Sequence, residues 1–210
     1  MAKAIIEFIG TFFLVLVVGM TVGKTDFAPI AIGFVLMVMV YMGGHISGGH
    51  YNPAVTLGCL MRGATPLSDA VTYWIVQLLG GVAAAAAAGF LGAGVEVAPG
   101  AGISSVQALV NEILFTFALV FVVLNVATSK DHPNNSFYGL AIGCTVLVGA
   151  FAGGEISGGA YNPAVGLGSN FVKGAFGNMW LYLVGPLAGG ALAAVIFRIT
   201  NAAEFAGESA

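Results

Sequence analysis

Charge is scarce in this 210-residue chain: six Lys and Arg and nine Asp and Glu amount to 7% of it. Soluble domains carry about 25% charged residues, so this composition cannot clothe a water-facing surface. The net charge of −3, with no charged run longer than Lys130-Asp131, excludes a basic face for nucleic acid. Two cysteines, Cys59 and Cys144, both lie in apolar stretches and make no disulfide framework. Three histidines without a Cys/His cluster give a metal centre nothing to stand on. With no nucleophile–base set or cofactor motif visible either, the expectation is a protein that is not an enzyme and holds no metal or cofactor.

Apolar residues, by contrast, make up 59% of the chain, and the mean hydropathy is +0.99. At ~20 apolar residues per crossing, about six crossings use most of the length. Six spans read out at Ala4–Met20, Phe27–Gly44, Ala70–Leu91, Val106–Ala127, Phe137–Gly154 and Met179–Phe197. The first follows Met1-Ala2-Lys3 and is longer than a signal-peptide core of ~7–15 residues, with no small-residue cleavage site after it. Small residues are dense, as at Gly80-Gly81 and Gly189-Gly190; they let helices approach closely in lipid. Two further apolar segments, Asn52–Met61 and Asn162–Val172, are too short to cross. Ten helical residues cover ~15 Å, half of a ~30 Å hydrocarbon core. They read as re-entrant half-helices, and irregular backbone at that depth is tolerated only inside protein or beside a water-filled cavity.

The chain repeats itself. Residues 43–58 read GGHISGGHYNPAVTLG and residues 153–168 read GGEISGGAYNPAVGLG, a constant offset of 110 with differences only at His45/Glu155, His50/Ala160 and Thr56/Gly166. Ala31-Ile32-Gly33 matches Ala141-Ile142-Gly143 at the same offset, and the segment from Glu7 resembles that from Glu112 at offset 105. Each repeat has three full spans, so the second enters the membrane from the opposite side. The repeats, residues 1–98 and 99–210 of a single channel-sized domain, are therefore inverted about an axis in the membrane plane. Lys3, Arg62, Lys130 and Arg198 against Lys24 and Lys173 favour cytoplasmic termini.

Each short segment opens Asn-Pro-Ala: Asn52-Pro53-Ala54 and Asn162-Pro163-Ala164. Asn is a preferred N-cap and Pro suits the first helical position. With its side-chain oxygen capping the helix, each Asn is expected to keep two amide N–H donors free, beside a helix end carrying about half a positive charge. At these residues the chain resembles the aquaporin family, the major intrinsic proteins. The resemblance implies six tilted helices around a pore, the two motifs abutting at its middle, and passive conduction of water and possible small neutral solutes such as glycerol, urea or ammonia. It also implies a homotetramer embedded in membrane lipid, at the plasma membrane. Glu7 and Glu112 then brace the half-helix loops, and His50 resembles an inner-vestibule histidine.

The filter positions depart from the family. Arginine normally follows the second motif, where this chain has Val165; a histidine twelve residues before Asn162 is replaced by Ala150. Ile32 and Gly159 complete the expected constriction by gapless counting. All four are small or apolar, which predicts a widened filter. His45 and Glu155 sit just before the two loops, where each bonds loop backbone or lines a vestibule. Tyr73, Trp74, Trp180 and Tyr182 are read as interface anchors near span ends or as core packing. Two other functions compete. A secondary transporter uses inverted repeats as well but needs an ionisable midplane residue where this motif has Asn. A poorly conducting structural protein of the same fold needs a blocked pore.

Overall fold

The computed structural model describes residues 1–206, and among them every regular element is helical. The six long helices are α1 (Ala2–Thr21), α2 (Ala28–Ser47), α4 (Leu67–Phe90), α5 (Ser105–Val123), α6 (Tyr138–Ser157) and α8 (Met179–Thr200); α5 continues as a π-helical turn over Leu124–Thr128. Each is long and apolar enough to cross a bilayer. The two short helices are α3 (Pro53–Arg62) and α7 (Pro163–Lys173). Six spans and two half-helices therefore stand where the sequence reading has them.

The ends of α2 and α6 differ from expectation by three residues. Gly44 and Gly154 read as stops, yet the helices run on to Ser47 and Ser157 and end at Gly48 and Gly158, whose φ of +94° and +87° no ordinary residue adopts. The earlier glycines serve packing: a Cβ on Gly43 would strike the Tyr51 hydroxyl. Those three extra residues bring Ser47 and Ser157 within reach of the buried glutamates.

Packing obeys the inverted repeat. α1 lies on α2 and α4, and its counterpart α5 lies on α6 and α8. The halves then interlock, with α3 against α8, α7 against α4, and α2 against α6. Close approach at these crossings depends on glycine. A Cβ on Gly81 would collide with the carbonyl of Ala164 in α7, and one on Gly190 with the carbonyl of Ala54 in α3. Both half-helices are thus seated on glycine steps, one supplied by each half. The outward faces carry a belt of exposed apolar side chains, among them Phe13, Phe34, Ile75, Leu114, Phe151 and Leu192. The molecule is an integral membrane protein.

After α8 a 3-10 turn over Ala202–Phe205 folds back to close one end of the bundle. Glu204, buried, pairs with Arg62 at the end of α3 and accepts from Ser129 Oγ (2.6 Å) and the Lys130 N–H (3.0 Å). Arg62 also donates to Thr128 and lies over the rings of Phe197 and Phe205. Burial alone would raise the Glu204 carboxyl, but the Ser129 and Lys130 donors and the Arg62 and Lys130 cations outweigh it and hold the group below the ordinary glutamate range. A carboxyl lowered on folding stabilises above its unfolded value, ~4.3, and that contribution disappears as pH falls through the folded value. Protection factors of the amides in residues 202–205 are accordingly expected to stay high from neutral pH to the ordinary glutamate range and to fall below it. In Glu204→Gln they are low throughout, with no acid step; an acid step retained in that variant would assign it elsewhere.

Candidate functional site

The two Asn-Pro-Ala turns meet inside the bundle. Asn52 sits in extended conformation ahead of Pro53, and its Oδ1 accepts from the Ala54 N–H at 2.8 Å; Asn162 does the same with Ala164 at 2.9 Å. Both are therefore N-caps, as proline at the first helical position and a short polar side chain before it dictate. The amide nitrogens differ from expectation. Asn52 Nδ2 donates to the Tyr161 carbonyl (2.8 Å) and Asn162 Nδ2 to the Tyr51 carbonyl (2.9 Å), so each cap is bonded to the opposite loop. One N–H per Asn is spent on this cross-link and one is left, not two. The reason is depth: a loop carbonyl buried here has no water to satisfy it, and the facing amide is its partner.

The loops themselves are strained and held by carboxylates. Tyr51 and Tyr161 both have φ +49°, unusual for a residue with a side chain. Glu7, completely buried, accepts from Ser47 Oγ (2.6 Å), the His50 N–H (3.0 Å), the Tyr51 N–H (2.7 Å) and Gln77 Nε2 (2.8 Å). Glu112, equally buried, accepts from Ser157 Oγ (2.6 Å) and the N–H groups of Ala160 (3.0 Å) and Tyr161 (2.7 Å). The hydroxyls of Tyr73 and Tyr182 donate to the Ser47 and Ser157 carbonyls (2.7 and 2.6 Å). Both tyrosines are buried, so the core alternative holds for them over the interface anchor. Their common offset of 109 was the signal available in sequence. Gln77 has no such echo, because its counterpart is Pro186.

Three cavities bear on this junction. One of about 550 Å³, beside the α1–α2 connection and called the outer cavity, is lined by Ile32, Ala150, Gly159 and Glu155 among others. The central one is only about 20 Å³ and contains Asn52, Asn162, His50 and Val165 in its wall. The inner one, about 560 Å³, is reached past His50 and Val123, which line both, and includes His45 and Arg62. The four positions expected to form one constriction are thus divided, three in the wide outer cavity and Val165 at the centre. His45 and Glu155 are exposed and line the two wide cavities. His50 is buried, and its Nδ1 lies 3.0 Å from Thr56 Oγ1, which also receives Gln77 Nε2 (3.0 Å) and donates to the Asn52 carbonyl (3.1 Å). Which of the two donates, His50 Nδ1 or the Thr56 hydroxyl, is set by the imidazole tautomer. Among the described residues no group of three or more His, Cys, Asp or Glu could hold a metal ion.

Glu7 and Glu112 differ in a way that stability can read. Both Glu7 oxygens take two hydrogen bonds each, so Glu7→Gln disturbs two of them whichever way its amide turns. Glu112→Gln can point its N–H₂ at the Tyr161 N–H alone. Each unsatisfied buried donor costs about 1–3 kcal/mol. Glu7→Gln is therefore expected to lower the thermal midpoint in detergent more than Glu112→Gln; equal midpoints would contradict this division of labour.

Comparison with known proteins agrees with this geometry. The chain matches the Major intrinsic protein family over residues 1–197. It is 43% identical to Aquaporin TIP2-1 of Arabidopsis thaliana over 171 residues, covering 79% of this chain and 68% of the relative. It is 40% identical to Aquaporin NIP1-1 of Oryza sativa subsp. japonica over 215 residues, covering 95% of this chain and 75% of the relative. In fold it is similar to the X-ray structure of the aquaglyceroporin from Plasmodium falciparum, with a TM-score of 0.79 at 24% identity over 93% of this chain and 94% of that one. Facing Asn-Pro-Ala caps, an inverted repeat and these relatives lead to one assignment: the chain belongs to the major intrinsic protein family, as a membrane channel for water and small solutes.

Proposed function

We propose that the chain is a passive pore, one channel per subunit of a homotetramer, conducting water in single file and admitting small neutral solutes. The observation that carries this is the position of the two Asn caps: they lie in the wall of the small central cavity, each with one amide N–H not spent on the loops. A water at the junction accepts from both amides, which turns its hydrogens along the pore and away from the caps. Waters on either side then orient in opposite senses, and the donor–acceptor wire for proton hopping is interrupted. The positive ends of α3 and α7 face the same point and repel cations. With Val165 where the family usually has arginine, these ends supply the principal cation barrier.

In this reading residues 1–98 and 99–210 are the two inverted halves of one channel domain, and the protein acts by conduction rather than catalysis. Ile32, Ala150 and Gly159 border the outer entrance, with Glu155 beside them, while His50 marks the inner exit of the narrow segment. The basic residues Lys3, Arg62, Lys130 and Arg198 lie toward the cytoplasm of the plasma membrane, with both termini. The exposed apolar belt is divided in the tetramer between lipid and neighbouring subunits.

The test is stopped-flow light scattering of proteoliposomes under a sucrose gradient, with a parallel cation-flux assay. Wild type is expected to pass water faster than empty vesicles and to exclude cations. Asn52→Asp replaces a donor with a negative charge and should raise cation leak ~10-fold, the factor that accompanies ~1.4 kcal/mol off a barrier. Unchanged cation exclusion in a variant that still conducts water would contradict the electrostatic role of the caps.

A further inference from the structure

Where this pore sorts solutes by size is written in the contrast between its cavities. The outer cavity, with Ile32, Ala150 and Gly159 in its wall, has about 550 Å³. The central cavity has about 20 Å³, room for about one water centre. Its wall is built twice over. Leu14 and Leu119 are counterparts at offset 105, and Leu36 and Val146, like Val55 and Val165, at offset 110. Each half thus contributes one side chain from its first span, one from its second and one from its half-helix. Five of the six are buried, and Val146 is half-buried. The register explains the position. Leu36 is one helical turn from Ile32, Val146 one turn from Ala150, and Leu14 one turn from Val18 of the outer cavity. At each step toward the caps the side chain grows or the space closes.

Resting on the reading of these cavities as the conduction path, we infer that the size filter of this channel is the apolar sleeve around the two Asn caps, with Leu36 and Val146 as its specificity-determining pair, and not the outer ring. Water passes because it fits singly and finds the Asn amides. Glycerol and urea carry several heavy atoms and polar groups, and inside the sleeve they exchange their hydration for contact with methyl groups. Leu36 and Val146 are the one unequal pair of these three, differing by a methylene group in the wall of the same cavity. Their side chains therefore set how wide a neutral solute can be.

The experiment compares water permeability under sucrose with glycerol and urea permeability in proteoliposomes of the full chain. Leu36→Ala should raise the glycerol-to-water ratio about threefold or more, and Val146→Leu should lower it by a similar factor, since pore diameter sets selectivity. Ala150→Val, in the wide outer cavity, should shift the ratio by less than about twofold. Opposite shifts from removing and adding bulk cannot both arise from misfolding. A ratio controlled by Ala150→Val and indifferent to Leu36→Ala and Val146→Leu would overturn the sleeve as filter while leaving the channel intact. Wild-type vesicles no more water-permeable than empty ones would instead defeat the channel reading beneath it.

Discussion

Two hydrogen bonds hold the centre of this molecule: Asn52 Nδ2 to the Tyr161 carbonyl and Asn162 Nδ2 to the Tyr51 carbonyl. They satisfy backbone carbonyls that would otherwise be orphaned in the interior of the bundle. They also lock the tips of α3 and α7 to each other, so neither half-helix can withdraw without leaving a buried acceptor bare. The remaining structure serves that junction. Glu7 and Glu112 hold the loops from behind, Ser47, Ser157, Tyr73 and Tyr182 fix the preceding helix ends, and Gly81 and Gly190 give the half-helices room to sit.

The pseudo-symmetry is strict in backbone and loose in chemistry. Where the first half has His50, Thr56 and Gln77 in one polar cluster, the second has Ala160, Gly166 and Pro186. The ring of Tyr182 packs against Gly166 in the space that the Thr56 side chain occupies on the other side. Of these residues His50 and Ala160 line the central cavity, which therefore meets an imidazole from one half and a methyl group from the other. The charged side chains at the outer mouth are the carboxylates of Asp26, Glu96 and Glu155, with no cation among its lining residues.

Much of this was legible in the residues. Six apolar runs, two short ones and the repeated SGG-x-YNPAV determine the fold class because length against bilayer thickness leaves few solutions. The N-caps followed from Asn-Pro-Ala alone. What was not legible depended on contacts between distant segments. The spare amide N–H of each Asn finds a carbonyl more than a hundred residues away, and no local pattern announces it. The helix extensions to Ser47 and Ser157 were hidden because Gly43-Gly44 and Gly153-Gly154 look like stops until Tyr51 and Tyr161 are packed against them. The dispersal of Ile32, Ala150, Gly159 and Val165 between two cavities depends on side-chain volumes that gapless counting ignores. Glu204, in a short polar tail, acquires its meaning only beside Arg62 and Ser129.

The most direct measurement is an experimental density map of the protein in lipid at a resolution that resolves ordered water. The account predicts a continuous file of waters from the outer to the inner cavity, with one water in hydrogen-bond range of both Asn52 Nδ2 and Asn162 Nδ2 and each amide still on the opposite tyrosine carbonyl. A dry central segment, or Asn amides turned away from each other, would contradict it.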